Sequence, residues 1–399
     1  MVRSLLVVLF ALCVPLLPAC KKAKPVASAS APKPVRPLTD EETKQLADWG
    51  REMATQLGQG KTAGLVEAFD LKRMVDQALD GQMIDQKLQH GLLGGLRTGL
   101  VSSFTQFKAA HVKMMRAGNQ NGVPCCLIRV LTDEGGMTYL EFQVDPDTKP
   151  DFKIIDMENP IMGGKFTDRI ASVLAVALKD TDASLVDRIF RKKPSADAAA
   201  SRRLMSFYAL LQQGKFTAID AAYKGLAKAD QDTWHVACAW ALAARAEGGQ
   251  PYTNALADLA TRFGEDPAAQ FVLLDHYATK GDWKRCEQSI ALLSKRYGPD
   301  GHLESLRATM LLQDGRTDEA RAASRQATEL EPDLPEVWDS AALLAVHVKD
   351  YPKAVESLTR LEKANGSEID LDGLRAANPD FALFLDSPEA KAWLEKRGK

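Results

Sequence analysis

Gly281-Asp-Trp-Lys-Arg-Cys286, Gly315-Arg-Thr-Asp-Glu-Ala320 and Lys349-Asp-Tyr-Pro-Lys-Ala354 decide the architecture of the C-terminal half. Each begins with a turn residue and places a small side chain five positions later. Two earlier turns, Gly214 and Gly248, extend the series, and the intervals between turns are 34, 33, 34 and 34 residues. A fixed period in this range marks a repeat array in which each unit is one supersecondary element. Apolar residues at helical spacing flank every turn, so the unit is a helix pair. A pair with one apolar face cannot bury it alone, and stacking on its neighbours does so. The small residue then sits where the two helices of a unit touch. The first two units hold Ile219 and Thr253 at that position and fit less well, with an insertion expected near Gln250-Pro-Tyr-Thr.

This pattern resembles the tetratricopeptide repeat. Trp338, Ala342, Ala354 and Leu358 match family positions in the fifth repeat, and Pro332 ends the fourth where the family places its proline. The resemblance implies an all-α solenoid of five repeats over residues 200–366. It also implies a concave face lined by the first helix of each repeat. Carried over residue by residue, the groove positions are Leu204, Tyr208, His235, Arg245, Phe271, Asp275, His302, Thr309, Asp339 and His347. Such a mixture of aromatic, His and acidic side chains suits the docking of a peptide or helix. Several of the ten could instead pack against the preceding domain. The Lys/Asn clamp by which chaperone-binding members read a C-terminal carboxylate is absent, so that specificity is not implied. Residues 367–399 carry Leu374, Phe381, Phe384, Leu385, Trp393 and Leu394 on short helices that begin near Pro379 and Pro388, a composition suited to capping the open end of the stack.

The other end of the chain gives an address. A 13-residue run from Leu5 to Leu17, broken only by Pro15, follows Arg3. It is too short to cross about 30 Å of hydrocarbon as a helix, and it reads as a secretory signal over residues 1–19. Leu17-Pro18-Ala19-Cys20 resembles the lipobox of bacterial lipoproteins. In that family the cysteine is alkylated by diacylglycerol and the signal is cut before it, chemistry that needs a thiolate nucleophile. The resemblance implies acylation of Cys20, and Lys21 and Lys22 behind it resemble outer-membrane sorting toward the periplasm. Residues 21–37 are Lys, Ala, Ser and Pro with no apolar stripe, so 20–37 is a lipidated tether. Its seventeen residues would reach about 50 Å in polyproline form. Its five bases could touch anionic headgroups or be merely solvated.

Residues 38–192 read as an α+β domain. Thr39 and Glu42 form a capping box at the head of a helix carrying Leu46, Trp49, Met53 and Leu57. A second helical stretch covers about 63–79 with a break near Asp70, and a third about 82–107. The third carries Gly91, Gly95 and Gly99 at four-residue steps, which suggests close approach of another backbone. Strands follow near 111–117, 125–131, 137–144 and 152–157. Aligning Arg129 with Glu141 matches both apolar faces of the central hairpin and sets the expected register. Helices followed by a curved antiparallel meander resemble the NTF2-like cone fold. Some members use the cone interior as a ligand pocket or active site, which here implies Arg129, Tyr139, Glu141 and Asp156. Those side chains could equally lie on a solvated sheet face.

The 51 bases and 53 acids are unevenly placed. Residues 1–37 hold six bases and no acid, which leaves a net charge of -8 on the remainder. A nucleic-acid protein shows the reverse, a basic stripe on its folded part. His235-Val-Ala-Cys238 has no second ligand pair of matching spacing, so no metal is expected. No GxSxG, HExxH, P-loop or paired-carboxylate motif is present, so neither catalysis nor a cofactor is expected. The sequence therefore reads as a non-catalytic envelope lipoprotein that recruits a protein partner through its repeats. The alternative is a small-ligand receptor or enzyme in the NTF2-like domain, with the repeats as a docking arm.

Overall fold

The computed structural model describes residues 35–79, 84, 86–105, 109–132, 136–159, 164–171, 203–204, 206–207, 210–211 and 216–397. The signal run, Cys20, the helical stretch expected near 184–190 and the first turn at Gly214 lie outside these residues. The chain divides into two compact units, Met1–Val272 and Leu273–Lys399.

The first unit opens with helix α1, Asp40–Gly58. Thr39 caps it: its Oγ1 accepts from the Glu42 N–H, and the Glu42 carboxylate returns the bond to the Thr39 N–H. One stripe, Leu46, Trp49, Met53, Ala54 and Leu57, is buried at helical spacing. Helices α2, Ala63–Ala68, and α3, Leu71–Ala78, follow, and the break between them falls at Asp70, whose carboxylate caps α3 through the Arg73 N–H. Helix α4 spans Gln86–Thr105. Its Gly91 is exposed with open space where a side chain would stand, whereas Gly99, two turns on, is buried.

Four antiparallel strands form a meander in the order β1 (Ala109–Gln120), β2 (Val123–Thr132), β3 (Met137–Asp145) and β4 (Lys153–Glu158). The β2–β3 register corrects the expectation. Arg129 lies opposite Tyr139, and Glu141 lies opposite Leu127. A slip of two residues preserves which side chains share a face, so apolar matching alone does not choose between the registers. The hairpin end chooses. Thr132 N–H donates to the Gly136 carbonyl at 2.8 Å, and Gly136 N–H donates to Thr132 Oγ1 at 3.0 Å, which fixes residue 132 opposite 136. Glu141 finds its arginine on β1 instead, where Arg116 is 3.8 Å away.

The face of the sheet that carries Met114, Cys126 and Phe142 packs on α1 and its neighbours. Phe69 meets Phe142 and Phe104 at about 6 Å between ring centroids, and Trp49 meets Phe152 edge-on. The chain segment entering α1 is pinned as well. Arg36 forks onto both oxygens of Glu42 at 2.8 Å, Lys149 adds a third contact at 2.7 Å, and Leu38 exchanges two hydrogen bonds with the Asn119 amide.

The four donors hold the Glu42 carboxyl well below the usual carboxylate range, Arg36 being the largest cause. A depressed folded-state pKa contributes stability that is present above the unfolded value, about 4.3, and lost as pH falls below it. Glu42→Gln is therefore expected to lower the melting temperature at pH 7. It should also flatten the loss of stability between about pH 5 and pH 3. A variant whose acid limb overlays that of the wild type would show that this carboxylate does not set it.

Later in the first unit come α5 (Phe216–Lys224), α6 (Lys228–Gln231), α7 (Trp234–Glu247) and α8 (Gly249–Phe263). Tyr223 stacks flat on Trp240 at 4.5 Å within a core of Phe207, Ile219, Leu226 and Val236. The insertion expected near Gln250 does not form a loop. Helix α8 runs through it from Gly249, and the buried small residue is Ala255 while Thr253 is exposed.

The second unit shows the repeat most clearly. After α9 (Gln270–Thr279) come α10 (Trp283–Tyr297), α11 (Gly301–Gln313), α12 (Thr317–Leu330), α13 (Pro335–His347) and α14 (Tyr351–Asn365). The turn residues share a positive φ: 69° at Gly248, 66° at Gly281, 76° at Gly315 and 60° at Lys349. That left-handed region explains the glycines and singles out Lys349 as the costly member. The residues five positions on, Cys286, Ala320 and Ala354, each show 0% exposure. Positions eight, nine and twelve after each turn are buried too: Ser289, Ile290 and Leu293, then Ala323, Ser324 and Ala327, then Ser357, Leu358 and Leu361. The C-terminal region is thus a stack of helix pairs that fits tetratricopeptide geometry. Helices α15 (Leu371–Ala377), α16 (Pro379–Leu385) and α17 (Pro388–Arg397) follow, and α16 and α17 bury Phe381, Phe384 and Trp393.

Candidate functional site

The first helix of each repeat carries the positions at which a partner would be held, and the structure sorts them by exposure. Asp275 on α9 and Asp339 on α13 are exposed. His302 is buried at the start of α11, where Asp300 caps the helix through the His302 and Leu303 N–H groups. Thr309 is half-buried, with its hydroxyl returned to the Ser305 carbonyl. His347 is exposed at the end of α13, and its Nδ1 lies 3.1 Å from Asp380 on α16, so its ring is engaged by the terminal helices.

In the first unit, His235 and Arg245 are half-buried on α7, the Arg245 guanidinium 5.8 Å from the centre of the Tyr252 ring. Leu204 packs on the Phe207 and Ile219 core. Tyr208 lies outside the described residues. Phe271 is half-buried, its ring 5.5 Å from that of Tyr139 on β3. One residue expected to line a groove therefore touches one expected to line a pocket.

That contact places the four sheet residues as well. Arg129 and Tyr139 show no exposure, and Glu141 and Asp156 show 6% and 5%. Every residue of β2 from Pro124 to Thr132 is buried, so this strand is covered on both faces. Asp156 is occupied: one carboxylate oxygen accepts from the Met157 and Thr167 N–H groups and the other from the Thr167 hydroxyl at 2.8 Å. Burial pushes its carboxyl up, against those hydrogen bonds. Asn159 donates to Thr138 Oγ1 and to the Tyr139 carbonyl. Arrangements of this kind hold a wall together more readily than they receive a ligand.

The four cysteines within the described residues, Cys125, Cys126, Cys238 and Cys286, are buried and form no disulfide with one another. Burial raises the thiols of Cys126, Cys238 and Cys286 beyond the ordinary range, with Cys126 pushed up to about 12. Among the described residues no group of three His, Cys, Asp or Glu could hold a metal ion, and no helix is long and apolar enough to cross a membrane. Sequence reasoning missed a further feature. Trp338 borders a cleft with Arg321 and Arg325 on the neighbouring α12. The 34-residue offset alone could have pointed to it, because it sets Arg321 in register with Glu287.

No family model matches this chain, and no curated protein matches it. Among solved structures, MamA MSR-1 C2 is similar at a TM-score of 0.34 and 17% identity, over 45% of this chain and 100% of that chain. A point mutant of MamA is similar at a TM-score of 0.33 and 17% identity, over 43% and 99%.

Proposed function

We propose that this chain is a non-catalytic scaffold, tethered to the bacterial envelope through acylated Cys20, that holds a protein partner on the first helices of its repeat stack. The observation that carries the reading is the recurrence of one left-handed turn and one buried crossing residue at 34-residue steps. A stack of this kind leaves the first helices side by side, as α11 and α13 are. Exposed Asp275 and Asp339 are the side chains it offers there. The address rests on the short apolar run, Cys20 and the polar tether, and outer-membrane placement facing the periplasm rests on Lys21 and Lys22. The N-terminal domain, read as NTF2-like, spaces the stack from the tether.

Two variants of the full chain, expressed in a Gram-negative host, test this. Cys20→Ala should move the protein from the membrane pellet to the soluble fraction. Asp275→Lys with Asp339→Lys should abolish cross-linking to the partner in intact membranes without moving the melting temperature. Unchanged membrane retention of the first variant would end the lipid-anchor reading. Unchanged cross-linking of the second would place partner binding elsewhere.

A further inference from the structure

The 34-residue offset relates two clefts in the second unit. One, of about 360 Å³, lies between α10 and α11; the other, of about 300 Å³, lies between α12 and α13. Glu287 and Ala291 in the first correspond to Arg321 and Arg325 in the second, and Glu304 and Arg307 correspond to Trp338 and Ala341. The same backbone frame is thus lined with different chemistry.

The first cleft is satisfied internally. Glu287 is held by Arg316 at 2.7 Å and by Arg307 at 3.6 Å, and Arg307 also reaches Glu304 at 3.3 Å. The second is not. Arg321 and Arg325 are exposed, stand one helical turn apart on one face of α12, and make no ion pair among the described residues. Trp338 borders the cleft at 7% exposure, its ring N–H given to the Pro332 carbonyl at 2.7 Å and the Arg360 guanidinium 5.8 Å from its ring centre. Trp338, Ala341 and Leu344 form the apolar wall of the cleft. Asp350 also borders the cleft, but its carboxylate caps α14 by accepting the Lys353 N–H.

Two unpaired guanidiniums beside an apolar wall match carboxylates that flank an apolar side chain. Arg presents paired N–H donors that take a carboxylate bidentately, and it sheds water more readily than Lys. We propose that the α12–α13 cleft docks an acidic segment of a partner protein, with two carboxylates on Arg321 and Arg325 and the side chain between them against Trp338. Its guanidiniums stand on the second helix of one repeat and its apolar wall on α13, the first helix of the next, which also carries Asp339.

The test is fluorescence polarisation of the full chain in detergent with a fluorescein-labelled hexapeptide alternating Glu and Leu. Saturable binding is expected, weakening as salt rises. It should fall by at least about tenfold in Arg321→Glu/Arg325→Glu, while Glu287→Ala in the equivalent cleft leaves it unchanged. Both arginines are exposed, so the melting curve of the double variant should overlay that of the wild type. Trp338→Phe should keep the salt dependence and weaken binding less. No binding to the wild type would overturn the proposal. So would equal binding to the charge-reversed variant, equal binding of a Gln-for-Glu peptide, or displacement by inorganic phosphate at matched charge. Loss of partner cross-linking in Asp275→Lys/Asp339→Lys with this peptide still bound would leave the cleft standing and confine the other result to the first-helix face.

Discussion

Gly50→Ala is expected to destabilise the N-terminal domain by about 1–3 kcal/mol, although the same change in an open helix would stabilise by about 1 kcal/mol. Gly50 lies in the middle of α1 and is buried against the sheet. A Cβ built there would stand 2.5 Å from Cys126 Sγ and 2.9 Å from Met114 Cγ, closer than side chains come. Cys126 has no room to retreat, because it shows 0% exposure on the central part of the sheet. Helix propensity and packing therefore act in opposite directions, and the sign of the effect reports which wins. The check is urea unfolding together with amide exchange resolved to α1, β1 and β2, which isolates this region from the repeats. Cys126→Ala in the Gly50→Ala background should recover part of the loss, because it removes the nearer of the two atoms. The coupling between the two changes should be favourable and of order 1 kcal/mol. A Gly50→Ala protein more stable than the wild type would mean that α1 sits farther from the sheet than this packing requires.

What the sequence made legible and what it concealed follow from the range of the forces involved. The repeat turns are legible because a left-handed residue is demanded at a point, and glycine meets that demand without reference to the rest of the chain. Even Lys349 could be placed, because its neighbours kept the spacing. Thr39 and Glu42 declare a helix start by chemistry confined to four residues. The break at Asp70 is legible for the same reason. The β2–β3 register is concealed because a slip by two residues leaves both faces intact, and the hydrogen bonds between Thr132 and Gly136 decide it. Gly50 is concealed because the atoms that require it belong to residues 114 and 126. The polar face of the sheet is concealed by distance of another kind. An alternating strand with Arg129, Tyr139 and Glu141 reads as half-solvated, yet Phe271, more than a hundred residues on, lies against Tyr139. That contact also alters the candidate site. It withdraws Phe271 from the positions open to a partner, whereas Asp339 is exposed.

Ala320→Leu carries the largest expected effect in the repeats, because position 320 concentrates what the stack depends on. Cys286, Ala320 and Ala354 stand at one offset after their turns with nothing exposed, and for Ala320 and Ala354 the second helix of the pair packs on the first. Ala320 belongs to a core with Ala308, Leu311, Leu312, Ala323 and Leu344, contributed by α11, α12 and α13. Three added heavy atoms there must push α12 away from α11 or force strained rotamers, at about 1–3 kcal/mol or more. The loss does not stay local. In a quasi-one-dimensional stack each pair is held by its own helices and by the faces of its neighbours, so loosening the fourth repeat removes the surface on which α13 and α14 rest. The second unit should then unfold at a clearly lower temperature, while amide exchange in β1–β3 is unchanged. Cys286→Ala at the equivalent position supplies the contrast. It removes one sulfur, introduces no bulk and should cost less than about 1.5 kcal/mol. If Ala320→Leu melted with the wild type, the buried residue at this offset would be incidental. The second helices would then not be seated by small side chains, and the regular spacing of turns would have to be held by some other contact.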